Sequence, residues 1–300
     1  MDIESAHKNL FSPDDSSVAQ SLQVLGTEGT LSDLSSMLVL LKCTSGSLKK
    51  TTSESIIQLI RENLIACFND LGENVRQKLG KILQSLDYPV VDELSKDLFC
   101  ENEKRRLRAV QILGLLEKNP RVKPVLVKLI HDIDEKIRAT AIILLGKMTA
   151  PHDHDILLSL LSDNDKRVRA NTIEALENTG NKRLVPILLR FRKDPVNRIR
   201  GNTLKALYNL GYSGIEQDLM EMLKDKDEFM RASALWVITQ IKLRKPDFED
   251  ISASYLLAES AMLRSNAHKA LKALNTPRSI GYLKYMMLPQ EVFLPENYSN

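Results

Sequence analysis

Residues 132–163 read DIDEKIRATAIILLGKMTAPHDHDILLSLLSD. Ile137, Ala141, Ile142 and Leu145 recur at the spacing that puts side chains on one face of a helix. That helix should end near Gly146–Lys147, with Met148 to Asp153, including Pro151, forming a turn. A second apolar set, Ile156, Leu157, Leu160 and Leu161, then predicts a shorter helix that stops before Asp163. The plan repeats downstream: VRANTIEALENTG (168–180) with LVPILLRF (184–191), IRGNTLKALYNLG (199–211) with IEQDLMEML (215–223), and MRASALWVITQ (230–240) with a longer second region. Gly180 and Gly211 stand where a helix terminates in a left-handed residue, a conformation glycine adopts without a Cβ clash.

Extended in both directions, the pattern has a marker. Arg76, Arg108, Arg138, Arg169, Arg200, Arg231 and Arg264 follow one another at intervals of 30 to 33 residues. Each comes after an apolar residue, from Val75 to Leu263, and each has Leu or Ile seven positions on. A fixed period of about 30 residues means one supersecondary unit stacked on copies of itself. Six positions before the arginine stand Asp70, Asp132, Asp163, Asp194 and Asp225, with Asn102 and Ala258 at the two exceptions. Aspartate closes one unit's second helix and arginine opens the next unit's first helix. The expectation is a ladder of Asp–Arg ion pairs that fixes the register between layers, a structural role rather than a binding one.

Aspartate, an apolar residue with arginine, a helix, glycine and a second apolar helix together resemble HEAT repeats. The pattern is most similar to the short variety found in phycobilisome lyase subunits and many bacterial proteins. The resemblance implies an all-α, right-handed solenoid of about eight stacked antiparallel helix pairs, with second helices lining a concave groove. It covers residues 70–275 well and fades at both ends. Residues 1–14 are expected to fray, and 15–70 to form degenerate capping pairs (16–26 with 31–43, and another within 47–70). Regular repeats should fill 71–275, leaving 276–300 as a cap and tail. His268 replaces the apolar residue of earlier units, as at an array's wettable end. The aromatics Tyr282, Tyr285, Phe293 and Tyr298 suit a tail that folds back on the last repeat or docks elsewhere.

Composition agrees with thin helical layers: 43% hydrophobic residues but only 5% aromatic. The net charge of +3 is uneven, about −5 over residues 1–100, +8 over 101–200 and balanced thereafter. Cys43, Cys67 and Cys100, odd in number and without a CxxC pair, read as reduced, buried thiols. The N-terminus lacks the basic and apolar regions of a signal peptide. No apolar run reaches the roughly 18 residues of a membrane span, so a cytoplasmic, non-inserted protein is expected.

No phosphate-cradling, zinc-helix or nucleophile-elbow motif appears. His152 and His154 in PHDHD supply too few ligands for zinc and read as a solvated turn. No enzyme activity, metal or cofactor is expected, because short connections leave little material for a closed site. The inward positions of the second helices carry Lys123, Lys128, His131, His154, Arg183, Arg190, Arg192 and Lys193, then Glu216, Asp218 and Glu221. A basic stretch beside an acidic one favours a protein or peptide partner over a uniform polyanion. Nucleic acid is the lesser alternative, since Phe191 alone interleaves an aromatic with those cations. The resemblance alone adds a bilin-lyase-like subunit as a further alternative.

Overall fold

The computed structural model describes residues 1–86, 89–148 and 154–286 of the chain, and every regular element among them is a helix. Two compact units form, Met1–Met148 and Thr149–Asn300. The division falls within the repeat array, on the connection after Met148. The turn expected around Pro151, His152 and Asp153 and the tail expected beyond 286 lie outside the described residues.

The first unit contains α1 (Ile3–Asn9), α2 (Asp15–Glu28), α3 (Leu34–Cys43), α4 (Gly46–Cys67), α5 (Glu73–Ser85), α6 (Val90–Leu98), α7 (Glu103–Leu113), α8 (Val122–Leu129) and α9 (Glu135–Met148). Residues 1–14, expected to fray, instead hold α1: the Asp2 carboxylate caps the Ser5 amide, and Ala6 and Leu10 are buried. Where a helix pair is expected within 47–70, Gly46–Cys67 form one long helix. Nothing in 47–67 breaks it, because Thr52 and Ser53 turn their hydroxyls onto the carbonyls of Leu48 and Lys49 within the same helix. Helix α4 packs against both α2 and α7, and α7 lies beside α9. Helix α5 packs elsewhere, on the 3₁₀ turn Gly114–Leu116, where Gly80 admits Leu115. The regular side-by-side layer thus passes from α4 to α7 and leaves out α5, the helix that carries Arg76.

The second unit contains α10 (Asp155–Leu158), α11 (Lys166–Asn178), α12 (Val185–Leu188), α13 (Asn197–Asn209), α14 (Glu216–Leu223), α15 (Glu228–Ile241), α16 (Pro246–Ser254), α17 (Ala261–Leu274) and α18 (Pro277–Met286). Helices α11, α13, α15 and α17 pack successively side by side, and the second helices α12, α14 and α16 lie against the first helix of the following pair. The second helices α10 and α12 last one turn and continue as 3₁₀ segments, Ser159–Ser162 and Leu189–Phe191. In so short a segment the tighter 3₁₀ turn, common at helix ends, completes the run. The expected apolar faces form the core: Ile173, Leu176, Leu204, Leu207, Leu235 and Ile238 are fully buried. Each such side chain contributes about 1.5–3 kcal/mol relative to exposure. Gly180 and Gly211 take φ of +66° and +92°, the left-handed stop read from the sequence. His268 is exposed on α17; α18 packs on that helix, is capped by Thr276 with Ser279, and is tied to α16 by the Arg278–Asp250 pair at 2.6 Å.

The cysteines depart from expectation. Cys43, at the last position of α3, is exposed; Cys67 and Cys100 are half-buried, and all three are free thiols.

Candidate functional site

Four of the repeated arginines hold main-chain carbonyls of the preceding junction. Arg138 Nη1 donates to the carbonyls of Asp132 and Ile133, both at 2.9 Å. Arg169 does the same to Asp163 and Asn164 (2.7 and 3.0 Å), Arg231 to Asp225 and Lys226 (2.6 and 3.0 Å), and Arg264 to Ala258 and Glu259 (2.7 and 2.6 Å). These carbonyls follow the C-terminus of the preceding second helix, where a cation is favoured. The aspartates face the other way along the chain. Asp132, Asp163, Asp194 and Asp225 each accept the amide two residues on, at 2.8–2.9 Å. The next-but-one residue then caps the following helix, as Asp134, Asp165 and Asp227 do. The expected ladder is therefore an Asx turn, a helix cap and an arginine clamp.

Three of the sequence's seven arginines do not fit. Arg106, not Arg108, makes the clamp in its repeat, donating to the carbonyls of Cys100 and Glu101 at 3.0 and 3.1 Å. The capping residue lies four positions before the clamp arginine throughout, and Asn102 caps α7 four positions before Arg106. Counting from the cap would have given this register; counting from the apolar residue before arginine misses by two. Arg106 also supplies an ion pair to the next repeat's aspartate, Asp132, at 3.6 Å. Arg76 reaches the Phe68 carbonyl eight residues back and stacks on the Phe68 ring. Arg200 reaches forward to the Asp218 carbonyl and the Glu221 carboxylate, both at 3.4 Å.

Of the expected partner-binding residues, Lys123, Lys128 and His131 belong to the first unit, and Lys128 and His131 are exposed there. The remainder belong to the second. His154 is half-buried, with Nδ1 3.2 Å from the Asn181 amide nitrogen and Nε2 3.5 Å from the Asp155 carboxylate. The basic and acidic stretches do not lie apart as two free surfaces. Lys193 bridges Asp218, at 2.8 Å, and Glu221, while Arg192 stands 3.9 Å from Asp218. Lys245 similarly pairs with Glu216. Asp218 is buried, so its pairing with Lys193 matters more than an exposed pair would. The Asp218 and Glu221 carboxylates raise the Lys193 pKa, and Lys193 in turn lowers that of Glu221. Arg183 and Arg190 remain, both exposed and without an ion pair among the described residues.

The first unit holds a second network that the repeat pattern does not signal. Arg61 on α4 and Arg105 on α7 converge on Asp97 at the end of α6 (3.4 and 2.5 Å), and Arg105 also binds Glu62 at 2.7 Å. Burial raises the Glu62 pKa, but the bonds from Arg105 and Arg61 outweigh it and leave it lowered. None of these residues recurs with the repeat, so periodicity could not reveal them. Among the described residues no three His, Cys, Asp or Glu side chains are grouped to hold a metal ion, and no helix is long and apolar enough to cross a membrane.

Side-by-side helix pairs joined by capped, arginine-clamped junctions define a helical-repeat protein. The chain belongs to the HEAT-repeat family, whose model matches residues 89–171 and 154–239. Among solved structures it is similar to the complex of CpcE and CpcF of phycocyanin lyase from Nostoc sp. PCC7120, with 21% identity, a TM-score of 0.49 and coverage of 75% of this chain and 93% of that one. It is also similar to the YibA protein of Escherichia coli, with 20% identity, a TM-score of 0.48 and coverage of 81% and 92% respectively. No curated protein matches it in sequence.

Proposed function

We propose that the chain is a non-enzymatic scaffold for protein–protein interaction, binding its partner along the face formed by the second helices. One observation carries this reading: among the described residues Arg183 and Arg190 have no ion pair, while Arg192 and Lys193 beside them are matched by Asp218 and Glu221. Arg183 and Arg190 lie seven residues apart, two turns of helix, flanking α12. Two such guanidinium groups suit carboxylates of a partner peptide, since arginine's planar fork binds carboxylate bidentately. With Lys193 and Lys245 engaged by Asp218, Glu221 and Glu216, this face offers two separate cations rather than the continuous basic track a polyanion needs, which favours a protein over a nucleic acid.

Arg192 and Lys193 are unsuitable for mutation because they neutralise buried Asp218. The test is the double charge reversal Arg183→Glu with Arg190→Glu, used as bait in a pull-down from the native cell. Proteins retained by the wild-type chain should be lost, with an unchanged melting temperature. Retention of the same proteins by the double variant would refute the assignment.

A further inference from the structure

Register correction at α7 leaves Arg108 outside the clamp, and its surroundings differ from those of every other repeated arginine. Its Nη1 is held by two neutral amide oxygens, Asn69 Oδ1 and Gln111 Oε1, both at 2.8 Å, and its Cζ sits 5.8 Å from the centre of the Phe68 ring. The guanidinium is therefore fixed in position while its charge meets no carboxylate. It opens onto a cleft of about 600 Å³ between the end of α4 and the first turns of α7. Ile65, Ala66 and Leu107 supply apolar lining, and Lys104 and Arg105 add cations. No acidic residue lines this cleft, whereas the clefts beside Arg231, Arg61, Arg121 and Arg198 each contain at least one. Arg105 is matched by Glu62 and Asp97 behind the surface; Lys104 is exposed with no ion pair among the described residues.

We infer that this cleft receives an acidic segment of a partner protein in which Asp or Glu alternates with aliphatic side chains. Arg108, prevented from rotating by its two amides and the aromatic ring, takes a carboxylate without losing much side-chain freedom. Lys104 contributes a second, movable charge, and Ile65, Ala66 and Leu107 accept the apolar neighbours. A free phosphate would use the cations but leave that lining and most of the volume unused. The cleft belongs to the first unit and Arg183 and Arg190 to the second, and the inference does not depend on them.

The experiment is fluorescence anisotropy of the full chain with a fluorescein-labelled hexapeptide of alternating glutamate and leucine. A lysine–leucine peptide serves as control and inorganic phosphate as competitor. Saturable binding of the acidic peptide alone is expected. It should weaken at least tenfold in Lys104→Gln/Arg108→Gln and persist in Arg183→Glu/Arg190→Glu. Lys104→Glu, a change on an exposed side chain, should also weaken it and keeps the test valid if loss of Arg108 disturbs folding. Absence of wild-type binding, unchanged affinity in Lys104→Glu, or displacement by phosphate at equal concentration would each overturn the inference.

Discussion

Replacing Arg231 by alanine separates the clamp from the ion-pair ladder that the sequence suggests. Two hydrogen bonds from the guanidinium would be lost, to the carbonyls of Asp225 at 2.6 Å and Lys226 at 3.0 Å. Bonds involving a charged group contribute about 1.5–3 kcal/mol each, and both are made by one half-exposed Nη1. Water can replace part of what is lost, so about 2 kcal/mol is expected for the pair. Asp225→Asn is the informative companion. Among the described residues the Asp225 carboxylate accepts only the Asp227 amide, at 2.8 Å, and an asparagine oxygen can do the same. Its cost should stay below about 0.5 kcal/mol, as for a change that removes no contact. Trp236, the only tryptophan, sits on α15 five residues from Arg231 and reports unfolding of that helix by fluorescence. Urea titrations of the two variants, followed at Trp236, should therefore give clearly different midpoints. Equal losses in the two variants would restore the carboxylate ladder and refute the clamp.

Acid should weaken the first unit through Glu62. Its native pKa lies below the ordinary 4.5, so stability is complete above that value and declines as pH falls through the lowered native one. Glu62→Gln should flatten the fall in melting temperature between about pH 5 and pH 3; an unaltered slope would exclude Glu62 as the cause. Two glycines should behave oppositely. A Cβ at Gly80 would stand 2.7 Å from Leu115 Cβ and 2.9 Å from its carbonyl oxygen, so Gly80→Ala should cost about 1–3 kcal/mol. At Gly201 the nearest atoms are 3.6 Å away, and alanine inside α13 should stabilise by about 0.5–1 kcal/mol. Thermal melts of the two variants check both signs.

The stack itself was legible because its signals are local and repeated. Apolar spacing placed Ile173 and Leu204 in the core, and glycine placed the stops at 180 and 211. What repetition could not specify was the atom each arginine would bind. A carboxylate six residues back and that residue's own carbonyl are equally close in sequence, and the Asx turn decides between them by occupying the carboxylate. The same limit applies at α7, where two arginines two positions apart compete for one role and Asn102 selects Arg106. At Glu216, Asp218 and Glu221 the sequence shows the charges but not their partners, because Lys193 and Lys245 come from neighbouring repeats. The Arg61–Asp97–Arg105 cluster joins α4, α6 and α7 without any period, and so stayed hidden.

Hydrogen exchange measured by mass spectrometry on wild-type protein and Arg231→Ala addresses the nearest-neighbour stack most directly. Each repeat should feel chiefly the repeats beside it. Exchange is therefore expected to quicken in α14, α15 and α17, while α11 and the first unit keep their wild-type rates. Acceleration spread evenly along the chain would contradict a stack of repeats and indicate one cooperative core.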